Sequence, residues 1–392
     1  MIEKIAQILC ELISIESISA NSNLDIIAYI ERILASSGVS SRRVPSPDGC
    51  KASLLATIGP VDRPGVVLSA HTDVVPVEGQ AWTVPPFAGV IRDERVYGRG
   101  ATDMKGFLAV VLASVPRLKD AATAAPVHLA FSYDEEVGCR GAPDLVCALM
   151  QSVVPPVLAI VGEPTTMRVV RAHKGKVARR LTVTGRTGHS AMPHRAANAV
   201  DAGVAIAHAL RGFADEEVAR GGDAAFDPPY TTIHVGSLHG GSMVNLVPER
   251  AVLEYEIRTM PGRDAGEILA RVDEVVARER DRLRASAPEA DIVSEELSAY
   301  PGLDTAADAS MTRLVAEMAG DTQPATTVAF GTEAGLYAEA GIPTLVCGPG
   351  DMARGHKADE WIGFDELAAA NVMMDRLADL LRRPSEEWIR VS

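Results

Sequence analysis

Three apolar runs in the first half of the chain each end on side chains that can bind a cation. This pattern restricts the fold more than any other feature. Gly65-Val66-Val67-Leu68-Ser69-Ala70 delivers His71-Thr72-Asp73, Val127 to Phe131 leads into Asp134-Glu135-Glu136, and Val157 to Val161 ends in Gly162-Glu163-Pro164-Thr165. Short apolar runs bounded by turn residues read as buried strands. A helix from the Gly98–Gly106 segment to about 119 and another near 142–151 separate them. Alternation of this kind predicts an α/β fold, with a mostly parallel sheet, helices on both faces, and ligands beyond the carboxyl ends of the strands. Before the first run lie a strand at 54–58 and a helical entry over 1–38, with Leu24, Ile27, Ile30, Ile33 and Leu34 on one face and Gly38 as its stop. The segment from Pro76 to Gly89, with Trp82 and adjacent prolines, reads as loop.

After Lys176 the order changes to strand (177–185), helix (196–211), strands (231–237 and 251–258), helix (264–285) and strand (291–297). That order is the split βαβ, ferredoxin-like unit. It predicts a second domain at 176–298 inserted between the two parts, 1–175 and 299–392, of a first domain. The closing segment returns to an α/β pattern with a helix at 306–319, a strand at Ile342 to Cys347, the loop Gly348 to His356 and a helix at 365–382. Edge strands of the small sheet would stay unpaired in a monomer, so a two-fold dimer through this domain is expected.

Charge and composition exclude several classes. With 392 residues, 47% of them hydrophobic, the chain can build two cores, and its net charge of −14 argues against a nucleic-acid partner. No apolar stretch approaches the ~18 residues that span a membrane, and Met1 to Leu9 lacks the basic start of a secretion signal. Five cysteines without Cys-x-x-Cys spacing fit a reducing cytoplasm rather than a disulfide framework.

Consecutive carboxylates at a strand end repel one another, so a cation is expected at Glu135 and Glu136, whose side chains should point to different sides. His71, Asp103, Glu136, Glu163 and His356 together offer mixed nitrogen and oxygen ligation, which suits zinc, cobalt or manganese. One ion would need three or four of these residues; five suggest a pair sharing a carboxylate. Asp103 alone is equally a helix N-cap. Glu135 is left as a general base, and Asp73 can hold the second N–H of His71. Gly98-x-Gly100 lacks the third glycine of a dinucleotide loop, and Ser190 does not sit in a nucleophile elbow.

His71-Thr72-Asp73-Val74-Val75-Pro76, Gly98-Arg99-Gly100 with Asp103-Met104-Lys105-Gly106, Asp134-Glu135-Glu136-Val137-Gly138 and Gly162-Glu163-Pro164-Thr165 resemble, in order, the motifs of the di-zinc M20 metallopeptidase and deacylase family. The resemblance runs over the whole chain, inserted lid included. It implies two divalent ions per chain, zinc or cobalt, with Asp103 bridging, His71 and Glu163 completing one site and Glu136 and His356 the other, and Glu135 as base. It further implies Asn245, Arg258, Gly331, Thr332 and Glu333 as substrate contacts and a lid histidine, His189, that reaches the partner subunit's site. Ala172-His173-Lys174-Gly175, Gly331-Thr332-Glu333-Ala334-Gly335 and Cys347-Gly348-Pro349-Gly350 with His356-Lys357-x-x-Glu360 resemble the branch that acts on N2-acetyl-L-ornithine. Acetylcitrulline, succinyl-diaminopimelate, dipeptides and other N-acylated amino acids are the alternative small-molecule substrates. A metal-free scaffold of the same fold is disfavoured because every ligand type and the base are present. In the lid, Pro193-His194-Arg195-Ala196-Ala197-Asn198-Ala199 departs from the family, which usually has a glycine before a valine-asparagine pair.

Overall fold

A computed structural model describes residues 1–307 and 309–388. The chain forms two compact units, one of Met1–His173, Leu303–Thr327 and Thr332–Ser392, the other of Lys174–Gly302 and Val328–Gly331.

The first unit is built on a mixed sheet. Its central strands Val127–Ser132, Val66–His71, Leu158–Val161 and Thr344–Val346 are parallel neighbours in that order. Ala52–Ile58 and Ser41–Pro45 extend one side antiparallel, and Val170–His173 and Leu303–Asp304 the other. The central strands are buried on both faces, which is why they read as continuous apolar runs. Alternation sends Val66, Leu68, Ala70, Leu129 and Phe131 into the main core with helices Ile2–Ser14, Gly106–Ala121 and Phe364–Leu381. Ser69, His71, His128 and Ser132 face the other way, toward the side of helices Ala142–Met150 and Ala334–Glu339.

The expected single helical entry is two helices, Ile2–Ser14 and Leu24–Ser36, with Ile18 bridging to Val74 between them. Ser17-Ile18-Ser19 breaks the helix because the Ser17 and Ser19 hydroxyls are committed to the Thr72 carbonyl and the Asp73 carboxylate. Strands Val90–Arg92, Arg95–Tyr97 and Trp361–Gly363 form a small sheet with no apolar run to announce it. The helix expected from 306 is Ser310–Ala319, and residue 308 lies outside the described residues, as do 389–392 at the end of the last segment.

The second unit is a four-stranded antiparallel sheet in the order Thr232–Gly240, Arg250–Thr259, Gly175–Thr184, Asp291–Tyr300. Helices Ala199–Arg220 and Ala265–Ser286 share its core through Ile206, Leu210, Val272 and Val276 against Leu181, Leu253 and Ile257. This is the ferredoxin-like arrangement. The first helix starts at Ala199 rather than 196, because the Asn198 side chain caps it, accepting from Val200 and Asp201 N–H. Ala197 instead pairs with Arg186 as extended backbone.

Candidate metal centre

Five segments of the first unit converge beyond the carboxyl ends of its parallel strands. Strand Val66–His71 ends on His71, and strand Leu158–Val161 leads to Glu163. After strand Val127–Ser132 the backbone turns through Asp134 at φ 55°, so a turn, not strand alternation, separates Glu135 from Glu136. His356 is also left-handed, at φ 60°. A side chain larger than glycine in that region costs energy, and such strain concentrates at functional sites. Asp103 has non-helical backbone (φ −118°, ψ 94°) ahead of helix Gly106–Ala121, and its carboxylate makes no capping bond. The N-cap alternative is therefore not realised.

The Asp103 carboxylate lies between the two imidazoles. Its Oδ1 is 3.2 Å from His71 Nε2, and its Oδ2 is 3.1 Å from His356 Nε2. Glu163 Oε1 lies 3.8 Å from His71 Nε2, and Glu136 Oε2 lies 3.0 Å from His356 Nε2. One ligand atom each from His71, Asp103 and Glu136 falls within 4.8 Å of the others, as do atoms from His71, Glu135 and Glu163. His71 Nδ1 donates to the Asp73 carbonyl at 2.9 Å, so that when the ring is neutral its lone pair is on Nε2, the nitrogen that faces Asp103.

Electrostatics favour a cation here. Burial, then Asp103, raises the Glu136 carboxyl to about 7, and the same two causes hold Glu163 well above the carboxylate range. Glu135 is raised by burial and further by Glu136. Hydrogen bonds to Asp103 and Glu136 lift His356 to about 10. Burial alone would depress His71, but Asp103 and Asp73 outweigh it and raise it. Each shift is what a crowd of carboxylates without enough positive charge produces. Glu163 Oε1 is buried with no hydrogen-bond partner among the described residues. The donor set thus fits divalent metal ions.

Surrounding residues hold the ligands in place. The Asp73 carboxylate accepts from Glu135 N–H (3.1 Å), Glu136 N–H (3.3 Å) and the Ser19 hydroxyl (2.6 Å). Its nearer tie to His71 is through its carbonyl, the carboxylate being 3.6 Å away. Lys51 Nζ grips both oxygens of Asp134, at 2.6 and 2.7 Å. Buried Glu360 accepts from Thr102 and Asp103 N–H on one oxygen and from Gly100 N–H and Arg99 Nη1 on the other. Arg99 reaches Gln80, whose amide donates to the His356 carbonyl. No sequence pattern announces Lys51, Gln80 or Ser19 as supports, since each acts through a long-range contact.

The remaining expected residues fall into two groups. In the second unit, exposed His189 pairs with Leu246, and Asn245 accepts from Ser190 N–H, so His189 and Asn245 are neighbours. His189 Nδ1 accepts from Ala191 N–H, leaving Nε2 as the outward donor. Arg258 is held by Glu256 at 2.8 Å, and a side chain at Gly331 would collide with the Tyr300 ring. In the first unit, Thr332 and Glu333 do not meet the expectation of substrate contacts. Thr332 is buried against His173 and bonds Ala334 N–H. Glu333 is fully buried, with its two oxygens on the Ser69 and Ser132 hydroxyls.

A parallel-centred α/β sheet with imidazoles and carboxylates gathered at its carboxyl end, plus a ferredoxin-like unit inserted in its sequence, defines a metallopeptidase-type hydrolase architecture. The chain belongs to peptidase family M20/M25/M40, which it matches over residues 67–380. It is 32% identical to an acetylornithine deacetylase of Myxococcus xanthus over 94% of this chain and 95% of that protein. A solved M20 family metallo-carboxypeptidase from Sulfolobus solfataricus superposes with a TM-score of 0.76 at 18% identity, covering 95% of this chain and 98% of that one. A dinuclear metal-binding peptidase of the family from Bacillus subtilis superposes with a TM-score of 0.66 at 16% identity, covering 97% and 98%. Within the family this chain is thus close to acetylornithine deacetylases. Among the described residues no helix is long and apolar enough to cross a membrane.

Proposed function

We propose that the chain hydrolyses the amide of N2-acetyl-L-ornithine to acetate and ornithine, a step of arginine biosynthesis in the cytoplasm. The observation that carries the reading is Asp103, whose two oxygens face His71 and His356 while Glu163 and Glu136 flank them. Likeness to the Myxococcus xanthus deacetylase supports the substrate. His71, Asp103 and Glu163 would hold one divalent ion and Asp103, Glu136 and His356 a second, zinc or cobalt. Those ions would supply Lewis acidity and a water of lowered pKa.

The chain's own residues do the rest. Glu135 accepts a proton from the attacking water and returns it to the amine nitrogen as the carbonyl carbon exchanges its C–N bond for a C–O bond. Asp73 keeps that base in place by accepting from the amides of residues 135 and 136. Arg258, by resemblance, receives the substrate α-carboxylate with its planar fork, with Asn245 and Gly331 beside the substrate. His189 donates its Nε2–H to the carbonyl oxygen as negative charge grows there, in the partner subunit of a homodimer. Residues 1–175 and 299–392 are read as the catalytic domain and 176–298 as the lid and dimerisation domain.

The test is release of free amine from a panel of N-acyl amino acids and dipeptides, with zinc, with cobalt and with chelator. Acetylornithine should rank first, two ions per chain should be found, and chelator should abolish turnover. Activity indifferent to chelator, or confined to another substrate, overturns the corresponding part of the reading.

A further inference from the structure

Glu333 stands immediately before the short helix Ala334–Glu339 and is 0% exposed. Ser69 donates to its Oε1, Ser132 donates to its Oε2 at 2.6 Å, and Tyr337 lies 2.8 Å from Ser69. With Ser69 donating to the carboxylate, the Tyr337 hydroxyl must donate to Ser69, so Glu333 is the terminal acceptor of the whole network. A buried carboxylate without a cationic partner is expensive, and none of its hydrogen bonds comes from a cation. The two serines explain its place. Ser69 is two residues before His71, and its carbonyl accepts from Gly162 N–H at 3.0 Å, beside Glu163. The Ser132 carbonyl accepts from Thr72 N–H at 2.9 Å and from the Thr72 hydroxyl at 2.8 Å, and the chain then runs into Glu135-Glu136.

We propose that Glu333 is a positioning residue of the candidate metal centre, a single buried carboxylate that fixes, through Ser69 and Ser132, the three strand ends presenting His71, Glu163 and the Glu135–Glu136 pair. It never touches substrate. Its geometry sets the separation of the strand ends, and its negative charge behind them favours cations in front. The proposal rests on the metal reading above.

The test is zinc affinity, measured by competition with a chromophoric chelator, alongside melting of the metal-free and zinc-loaded protein. Glu333→Gln keeps the shape, removes the charge and turns one acceptor into a donor. Groups bonded directly to a metal ligand are worth ~10–100-fold in metal affinity; Glu333 acts one bond further out, so zinc binding should weaken several-fold and the zinc-induced rise in Tm should shrink. Rescue is expected in Glu333→Asp only in part, since the shorter arm reaches one serine. If Glu333→Gln does not fold, Ser69→Ala and Ser132→Ala each remove one arm, and each should weaken zinc several-fold. Wild-type zinc affinity in all of these variants that fold, even with a lowered metal-free Tm, would reduce Glu333 to a packing residue and overturn the proposal alone. A wild-type chain that binds no zinc overturns it together with the proposed function.

Discussion

Replacing Glu360 by glutamine should loosen the Asp103 loop by an amount the structure allows one to work out. Glu360 Oε1 receives Thr102 N–H at 2.9 Å and Asp103 N–H at 3.1 Å, while Oε2 receives Arg99 Nη1 at 2.7 Å and Gly100 N–H at 3.1 Å. Arg99 and Glu360 are both buried. In the glutamine variant an NH2 replaces one oxygen, so two donors face a third and the guanidinium loses its counter-charge. Removing one partner of a buried pair costs ~3–5 kcal/mol, and two lost hydrogen bonds to a charged group, at ~1.5–3 kcal/mol each, give the same range. For a large cooperative unit ~2 °C of melting temperature accompanies each kcal/mol, so the metal-free protein should melt roughly 6–10 °C lower. Calorimetry on metal-free and zinc-loaded samples reads this directly, and kcat/KM should fall with it because Asp103 loses the acceptor of its amide. A variant melting within about 2 °C of wild type and equally active would show that the Arg99–Glu360 pair does not hold the loop.

Four further outcomes follow from the same geometry. Glu135→Gln should retain fold and metal while kcat falls ~10²–10⁴-fold; near-normal turnover would require another base. Arg258→Ala should erase the preference for a free substrate carboxylate, and equal wild-type rates on amidated and free substrates would refute the anchoring role. In verified heterodimers of a Glu135→Gln chain with a His189→Ala chain, one site receives both intact residues and activity should return; a dead mixture would refute action across the dimer. His128 is buried, its Nε2 has no hydrogen-bond partner among the described residues, and burial lowers its imidazole to about 4 from an ordinary 6.5. The unfolded chain therefore takes up its proton first, so this stability is present above pH ~6.5 and is lost as pH falls towards ~4, by at most about 3 kcal/mol. His128→Gln should flatten the dependence of Tm on pH across that window, and an unchanged slope would exonerate the residue.

Much of this was legible in the chain because the parallel strands are buried on both faces and so leave unbroken apolar runs. His71, Glu163 and the Glu135–Glu136 pair stand where those runs end, and reading the runs locates them. The hairpin Val90–Tyr97 was not legible, since its exposed arginines and partial burial give no period. Glu333 was misjudged as a substrate contact for a related reason. Its partners Ser69 and Ser132 lie more than two hundred residues away in sequence, and no local pattern encodes such a bond. A serine inside an apolar strand was the available signal, since a hydroxyl buried there requires a partner. The helix break after Ser14 was hidden likewise, because Ser17 and Ser19 are spoken for by residues of the His71-Thr72-Asp73 segment.

The division of the first unit into stretches before and after Lys174–Gly302 sets a timetable for biosynthesis. Residues 1–173 carry His71, Asp103, Glu135, Glu136 and Glu163, but Glu333, His356 and Glu360 are translated only after the whole of Lys174–Gly302. At ~5–20 residues per second the ribosome needs roughly 6–26 s to translate Lys174–Gly302. During that interval the second unit's continuous sheet and helices can form on their own, whereas the early acidic strand ends wait without the carboxylate behind them or the second imidazole in front. The candidate centre thus gathers its last members only when the stretches after Gly302 arrive.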